Sequence, residues 1–210
     1  MAAVNQDIVR EFFEMHGFLV RQDRKYIMRG KTEDDGIDFL VWNPKKRERA
    51  GELPFVLTSD DIGRVERALV VVRGWHTEVF SAAVLENSPE IFRFVSPAVL
   101  KQALQAFGLD SEPMKILVVP ALPTGAEAKD ESIKTLRAKG IDAVIPFKTI
   151  LAELITQIET NRNYDKSDVL QVIRVLKNYK LFKEPQLELF RATKTRRKKR
   201  DLAGPETNLE

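Results

Sequence analysis

Apolar positions recur along the chain with two periods, and the changes between them divide the sequence into elements. Val4, Ile8, Phe12 and Met15 return at helical spacing, and Gly17 stands where a left-handed cap belongs, so residues 4–16 are predicted to be a helix. Residues 18–29 read as a strand or hairpin edge of mixed charge, ended by Gly30. Residues 36–42 read as a buried strand stopped by Asn43-Pro44. Residues 45–64 are polar and aperiodic, and are expected to be a loop with at most a short turn near Ser59-Asp60-Asp61. In residues 68–73 the unbroken run Leu69-Val70-Val71-Val72 implies a strand covered on both faces.

From Ser88 onward the period is helical. Ser88-Pro89 and Ser96-Pro97 each place proline at a first helical position, and the second start runs through Leu100, Ala103, Leu104 and Phe107 to Gly108. Strands and helices then alternate. A strand over 115–120 precedes a helix over 126–139 closed by Gly140. A strand over 141–147 precedes a helix over 148–160, with Ile150, Leu151, Leu154, Ile155 and Ile158 facing inward. A last helix starts near Asp165 or Ser167 and carries Leu170, Ile173, Leu176 and Tyr179. Consecutive early strands imply antiparallel pairing, and helix-linked later strands imply parallel pairing with right-handed crossovers. The predicted fold is α/β, a mixed central β-sheet flanked by helices.

Length and composition then set the organisation. With 210 residues, 43% of them hydrophobic, the chain suits one α/β domain over residues 1–185. The net charge of +3 is uneven: residues 191–210 carry seven Lys/Arg against three Asp/Glu, which leaves −1 for residues 1–190. Residues 186–210 are therefore expected to be a basic, disordered tail. No apolar run approaches the roughly 20 residues of a membrane span. Asp7, Glu11 and Glu14 occupy the N-terminal segment, where a signal peptide would be basic and then apolar. The expectation is a soluble, cytoplasmic protein with no membrane partner.

Candidate chemistry narrows quickly. Cysteine is absent and His16 and His76 are the two histidines, so thiol catalysis and cysteine-type zinc sites drop out. No glycine-rich nucleotide cradle, His-Glu-x-x-His or Gly-x-Ser-x-Gly occurs. Any metal site must be built from carboxylates, which suits a hard ion such as magnesium.

What remains is an acid opening one strand, in Gly36-Ile37-Asp38, and a cation closing another, in Val71-Val72-Arg73, preceded by a helix bearing Glu11 and Glu14. These residues resemble the restriction-endonuclease-like superfamily, the PD-(D/E)XK nucleases, and within it the Mrr-like and Holliday-junction-resolvase-like branches. The resemblance covers residues 4–120 and implies a core order α-β-β-β-α-β with later βα units added. In that family two carboxylates hold divalent ions that activate water against a phosphodiester, and a lysine two residues beyond the second acid assists. The carry-over makes Asp38 the metal ligand and Asp38, Arg73 and Glu11 the catalytic set.

The sequence departs from the pattern at two places. Position 71 is valine, which binds no metal. Arg73 keeps the positive charge but cannot shuttle a proton. Glu66, Glu78 and residues 33–35 are candidates for a migrated acid. The motif also recurs at Gly140-Ile141-Asp142. The expectation is a nucleic-acid-binding protein with a nuclease-like fold, a degenerate or weakly active metal-dependent phosphodiesterase that would be a magnesium-dependent endonuclease if active. DNA is favoured over RNA, and a homodimer is implied by the family. Lys45, Lys46 and Arg47 are expected to rim the site, with Trp75 and His76 positioned to stack on a base or touch phosphate. Lys194, Arg196, Arg197, Lys198, Lys199 and Arg200 would neutralise backbone phosphates from the tail. The alternative is a non-catalytic protein-interaction or structural domain on the same scaffold.

Overall fold

Helix α1 (Ala2–Met15) leads through Gly17, at φ +83°, into the edge strand β1 (Leu19–Gln22). The computed structural model describes residues 2–22, 36–48, 51–108 and 112–182. Strands β2 (Phe39–Trp42), β3 (Arg67–Val72), β4 (Met114–Val119) and β5 (Ala143–Pro146) complete a five-stranded sheet in the order β1-β2-β3-β4-β5. The pairs β1–β2 and β2–β3 are antiparallel, and β3–β4 and β4–β5 are parallel. The protein is thus an α/β fold with a mixed sheet flanked by helices, as the periodicity implies.

Strand β3 is the middle of the sheet, and its alternation defines two cores. Ala68, Val70 and Val72 face a layer formed by α1, α6 (Phe147–Gln157) and α7 (Asp168–Asn178). Leu69 and Val71 face the opposite layer of α3 (Ala82–Glu86), a 3-10 helix (Pro89–Val95), α4 (Pro97–Phe107) and α5 (Ala126–Ala138). Each fully buried valine or leucine contributes about 1.5–3 kcal/mol, which makes this strand a strong organiser of both layers.

Some expectations shift in detail. The buried stripe of α1 is Val9, Phe12 and Phe13, while Val4 is exposed. The doublets Ile8-Val9 and Phe12-Phe13 offer two stripes about 100° apart, and the two phenylalanines settle the choice by packing edge-on against each other and Phe18. Of the predicted strand over 18–29, residues 23–29 lie outside the described residues. The segment 45–64 does hold a short turn, the one-turn helix α2 (Ser59–Ile62), closed by a reciprocal Thr58–Asp61 capping box. It also does more than expected: Leu57 N donates to Val144 O at 2.9 Å and Val144 N to Phe55 O at 2.8 Å, so residues 55–57 cover the outer edge of β5. Tyr179, expected on the last helix, is instead the exposed residue that caps the end of α7. Among the described residues no helix is long and apolar enough to cross a membrane.

Candidate functional site

Asp38 sits just before β2, where that strand meets the C-terminal end of β3. Its Oδ2 accepts a hydrogen bond from Val72 N at 2.6 Å, and its Oδ1 accepts one from the Gln6 side chain on α1. The Arg73 guanidinium approaches Oδ2 to 3.9 Å and donates to Val72 O at 3.3 Å. Arg73 is folded back over the backbone here, because its Nη2 lies 3.5 Å from where a Cβ at Gly36 would stand. The structure therefore brings Asp38 and Arg73 together, as expected, in an ion pair that is largely buried.

The helix residue facing Asp38 is Gln6, not the predicted Glu11. A relay of side chains supports it: Arg10 donates to Gln22 Oε1, Gln22 Nε2 donates to Gln6 Oε1 at 3.1 Å, and Gln6 donates to Asp38. Gln6 and Arg10 are four apart on one helical face. Glu11 lies five residues beyond Gln6, about 140° around the helix, and lines a different pocket with Ser167, the residue that caps the start of α7. Burial, reinforced by Glu14 and Asp7, raises the Glu11 pKa above its ordinary value against the opposing pull of Ser167 and Arg10.

The second Gly-Ile-Asp motif shows what the first one does. At Gly140-Ile141-Asp142, Asp142 N donates to Lys115 O at 3.0 Å while Asp142 Oδ2 accepts from Lys115 N at 2.7 Å. At Gly36-Ile37-Asp38, Asp38 N donates to Val70 O at 3.1 Å while Oδ2 accepts from Val72 N. Both glycines are left-handed, at φ +74° and +88°, and both isoleucines are buried in the same core. Each aspartate also faces a cation, Arg73 or Lys115. Burial alone would lower the Lys115 pKa, but its bonds to Glu112 and Asp142 hold it above the ordinary value. The tripeptide is thus a strand-start device: glycine turns the chain, isoleucine anchors it, and the carboxylate satisfies a backbone N–H of the neighbouring strand.

The basic rim does not assemble. Lys45, Lys46 and Arg47 follow the far end of β2, at least about 13 Å of strand away from Asp38 at 3.3 Å per residue. Asn43 N bonds to Glu66 O there, Lys46 pairs with Glu66 at 3.2 Å, and Lys45 and Arg47 line a separate cleft. Trp75 and His76 do lie on the Arg73 side of the sheet. Trp75 is 37% exposed and packs edge-on against Phe80, and His76 Nε2 is bonded to Asn5 Oδ1 at 2.9 Å with its ring against Phe147. Of the candidate migrated acids, Glu66 is at the wrong end of β3. Glu78 lies in the exposed turn after Trp75, and residues 33–35 lie outside the described residues. So do Lys194, Arg196, Arg197, Lys198, Lys199 and Arg200.

These donors do not fit a magnesium ion. Asp38 supplies one carboxylate, both of whose oxygens already accept hydrogen bonds. The position two before Arg73 is Val71, fully buried in the opposite core. Among the described residues no three of His, Asp and Glu gather as a metal would require. Sequence reasoning missed Gln6, Gln22 and Asn5. Gly74 leaves the room that Asn5 fills, since a Cβ there would stand 1.7 Å from Asn5 Nδ2, but nothing in the sequence links the two positions.

Fold and site together define an α/β protein with a five-stranded mixed sheet and one aspartate clamped between α1 and the end of its central strand. No protein-family model matches the chain, and no curated protein or solved structure does either.

Proposed function

We propose that this chain binds nucleic acid on a nuclease-like scaffold without cutting it. The observation that carries the second half of this reading is the state of Asp38. Its carboxylate is engaged by Val72 N, Gln6 and Arg73, the arrangement of a strand clamp, and the same motif does the same work at Asp142. Support for the nuclease-like scaffold is the order α1-β1-β2-β3, interrupted only by the one-turn α2 between β2 and β3 and followed by helices and β4, which resembles the α-β-β-β-α-β order that the resemblance implies. Support for a nucleic-acid partner is the basic tail, with seven Lys/Arg in residues 191–210. Trp75, exposed on the Arg73 side of the sheet, supplies an aromatic face for a base.

The test is a panel of labelled DNA and RNA incubated with the full chain in magnesium or manganese, read both as a mobility shift and on a denaturing gel. The expected result is a salt-sensitive shift with intact substrate. Cleavage that disappears in Asp38→Ala would overturn the non-cutting reading, and absence of any shift at low salt would overturn the nucleic-acid-binding reading. The second reading, a protein-interaction domain, is favoured by one observation. Val172 and Val175 on α7, with Tyr179 at its C-terminal cap, expose an apolar stripe, at 56%, 42% and 75%.

A further inference from the structure

The basic stretch that fails to reach Asp38 lines a different cleft at the opposite end of the sheet. This cleft has a volume of about 500 Å³, within the range of small-ligand sites. Its walls come from four separate parts of the fold: the end of α1 with His16, the turn after β2 with Lys45 and Arg47, the start of α2 with Asp60, and α6 with Glu153.

Three observations indicate a ligand of mixed character. First, opposite charges line the same cleft without pairing. Lys45 and Arg47 form no ion pair with Asp60 or Glu153 among the described residues, although Arg47 and Glu153 are both near enough to bias the charge of His16. Glu153 instead accepts from Gln157 at 3.1 Å. Second, His16 lines the cleft wall with its ring packed edge-on against Phe12 and its Nε2 buried without a hydrogen-bond partner among the described residues, so the ring is held in place beside any charge that enters the cleft. Third, the turn carrying the cations is fixed. Asn43 is buried, donates from Nδ2 to Gly63 O at 3.2 Å and accepts from Lys45 N at 3.0 Å, and Arg47 N donates to Gly63 O at 2.8 Å. The Arg47 stem then lies across Gly63, its Cδ 3.1 Å from where a Cβ would be, so glycine leaves the room in which the guanidinium is laid.

We propose that this cleft binds a small phosphorylated, hydroxyl-bearing molecule, with its phosphate on Lys45 and Arg47 and its hydroxyls toward Glu153 and Asp60. Two cations lining one cleft suit a phosphate dianion, and arginine can hold two of its oxygens at once. The acids of the same lining repel a second anionic group but accept hydrogen bonds from hydroxyls, which selects a monophosphate over a molecule that is anionic throughout. Nothing in this assignment depends on nucleic-acid binding, and the two stand or fall separately.

The chain's two histidines make the test direct. Their imidazole signals in the NMR spectrum of the full chain are assigned with His76→Asn, and inorganic phosphate and ribose 5-phosphate are titrated at ionic strength held constant with sodium chloride. The expected result is a saturable movement of the His16 signals with His76 unmoved, and half-saturation at a lower concentration for ribose 5-phosphate. In Arg47→Gln, which keeps the stem but removes the charge, affinity for both probes should fall by about tenfold or more. Unmoved His16 signals with both probes, or the same titration in a folded Arg47→Gln, would overturn the site. Equal affinities for the two probes would overturn the role given to Glu153 and Asp60.

Discussion

Asp38 and Asp142 are carboxylates whose oxygens stand in for the missing carbonyl partners at a strand end. Removing one leaves a backbone N–H of the neighbouring strand unsatisfied, which costs about 1–3 kcal/mol. Asp38→Ala is therefore expected to lower the unfolding free energy by that amount, and Asp38→Asn, which keeps an acceptor for Val72 N, by less. Urea unfolding of the two variants checks the order. Two titrating groups give further predictions at this scale. The folded-state pKa of His16 is lowered from 6.5 by burial, with Glu153 opposing and Arg47 reinforcing. Between those two values the unfolded chain takes up a proton that the folded chain refuses, so stability falls as pH drops below about 6.5. His16→Gln should flatten that part of the stability-versus-pH curve. Glu11 has the opposite sign. Its pKa is raised from 4.5, so its contribution is present below that pH and lost as pH rises through the folded value. Glu11→Gln is expected to raise the thermal midpoint at neutral pH, as scanning calorimetry would show.

At the scale of elements, the two left-handed glycines carry a test of the strand-start device. Alanine at position 36 or 140, at φ +74° or +88°, is strained by about 1–2 kcal/mol. The two positions should lose similar amounts, because a Cβ at either would meet only ordinary contacts, Arg73 Nη2 at 3.5 Å and Val95 Cβ at 3.9 Å. Paired thermal melts of Gly36→Ala and Gly140→Ala check this. The longer elements were readable because periodic burial writes itself locally: Leu69 to Val72 could be nothing but a strand covered on two sides, and Ile150, Leu154 and Ile158 mark one face of α6. What escaped was short or non-local. Helix α3 spans five residues, and residues 55–57 touch β5 through one bridge, too little to leave a period. The surroundings of Asp38 were hidden for the same reason, since its partners Gln6 and Val72 lie 32 and 34 residues away. The pairing of Asp38 with Arg73 was readable because a strand start and a neighbouring strand end must meet in an antiparallel pair. Which helix residue would join them was not, since Gln6 carries no charge to mark it.

For the whole molecule, charge is divided between residues 1–190, with a net −1, and a basic end, with +4 over residues 191–210. If the tail neutralises the phosphates, truncation after Pro185 should weaken nucleic-acid binding and flatten its salt dependence. The slope of log affinity against log salt should become shallower by about 0.9 for each duplex phosphate that the tail neutralises, measured by anisotropy across a salt series.

The central claim is that Asp38 holds the sheet and does not hold a metal. Equilibrium urea unfolding of the full chain, Asp38→Ala and Asp142→Ala, each with and without manganese, tests it most directly. The account predicts that both variants are less stable than the parent and that manganese shifts none of the three curves. A parent stabilised by manganese, with an Asp38→Ala variant that is as stable as the parent in metal-free buffer, would contradict it and identify Asp38 as a metal ligand.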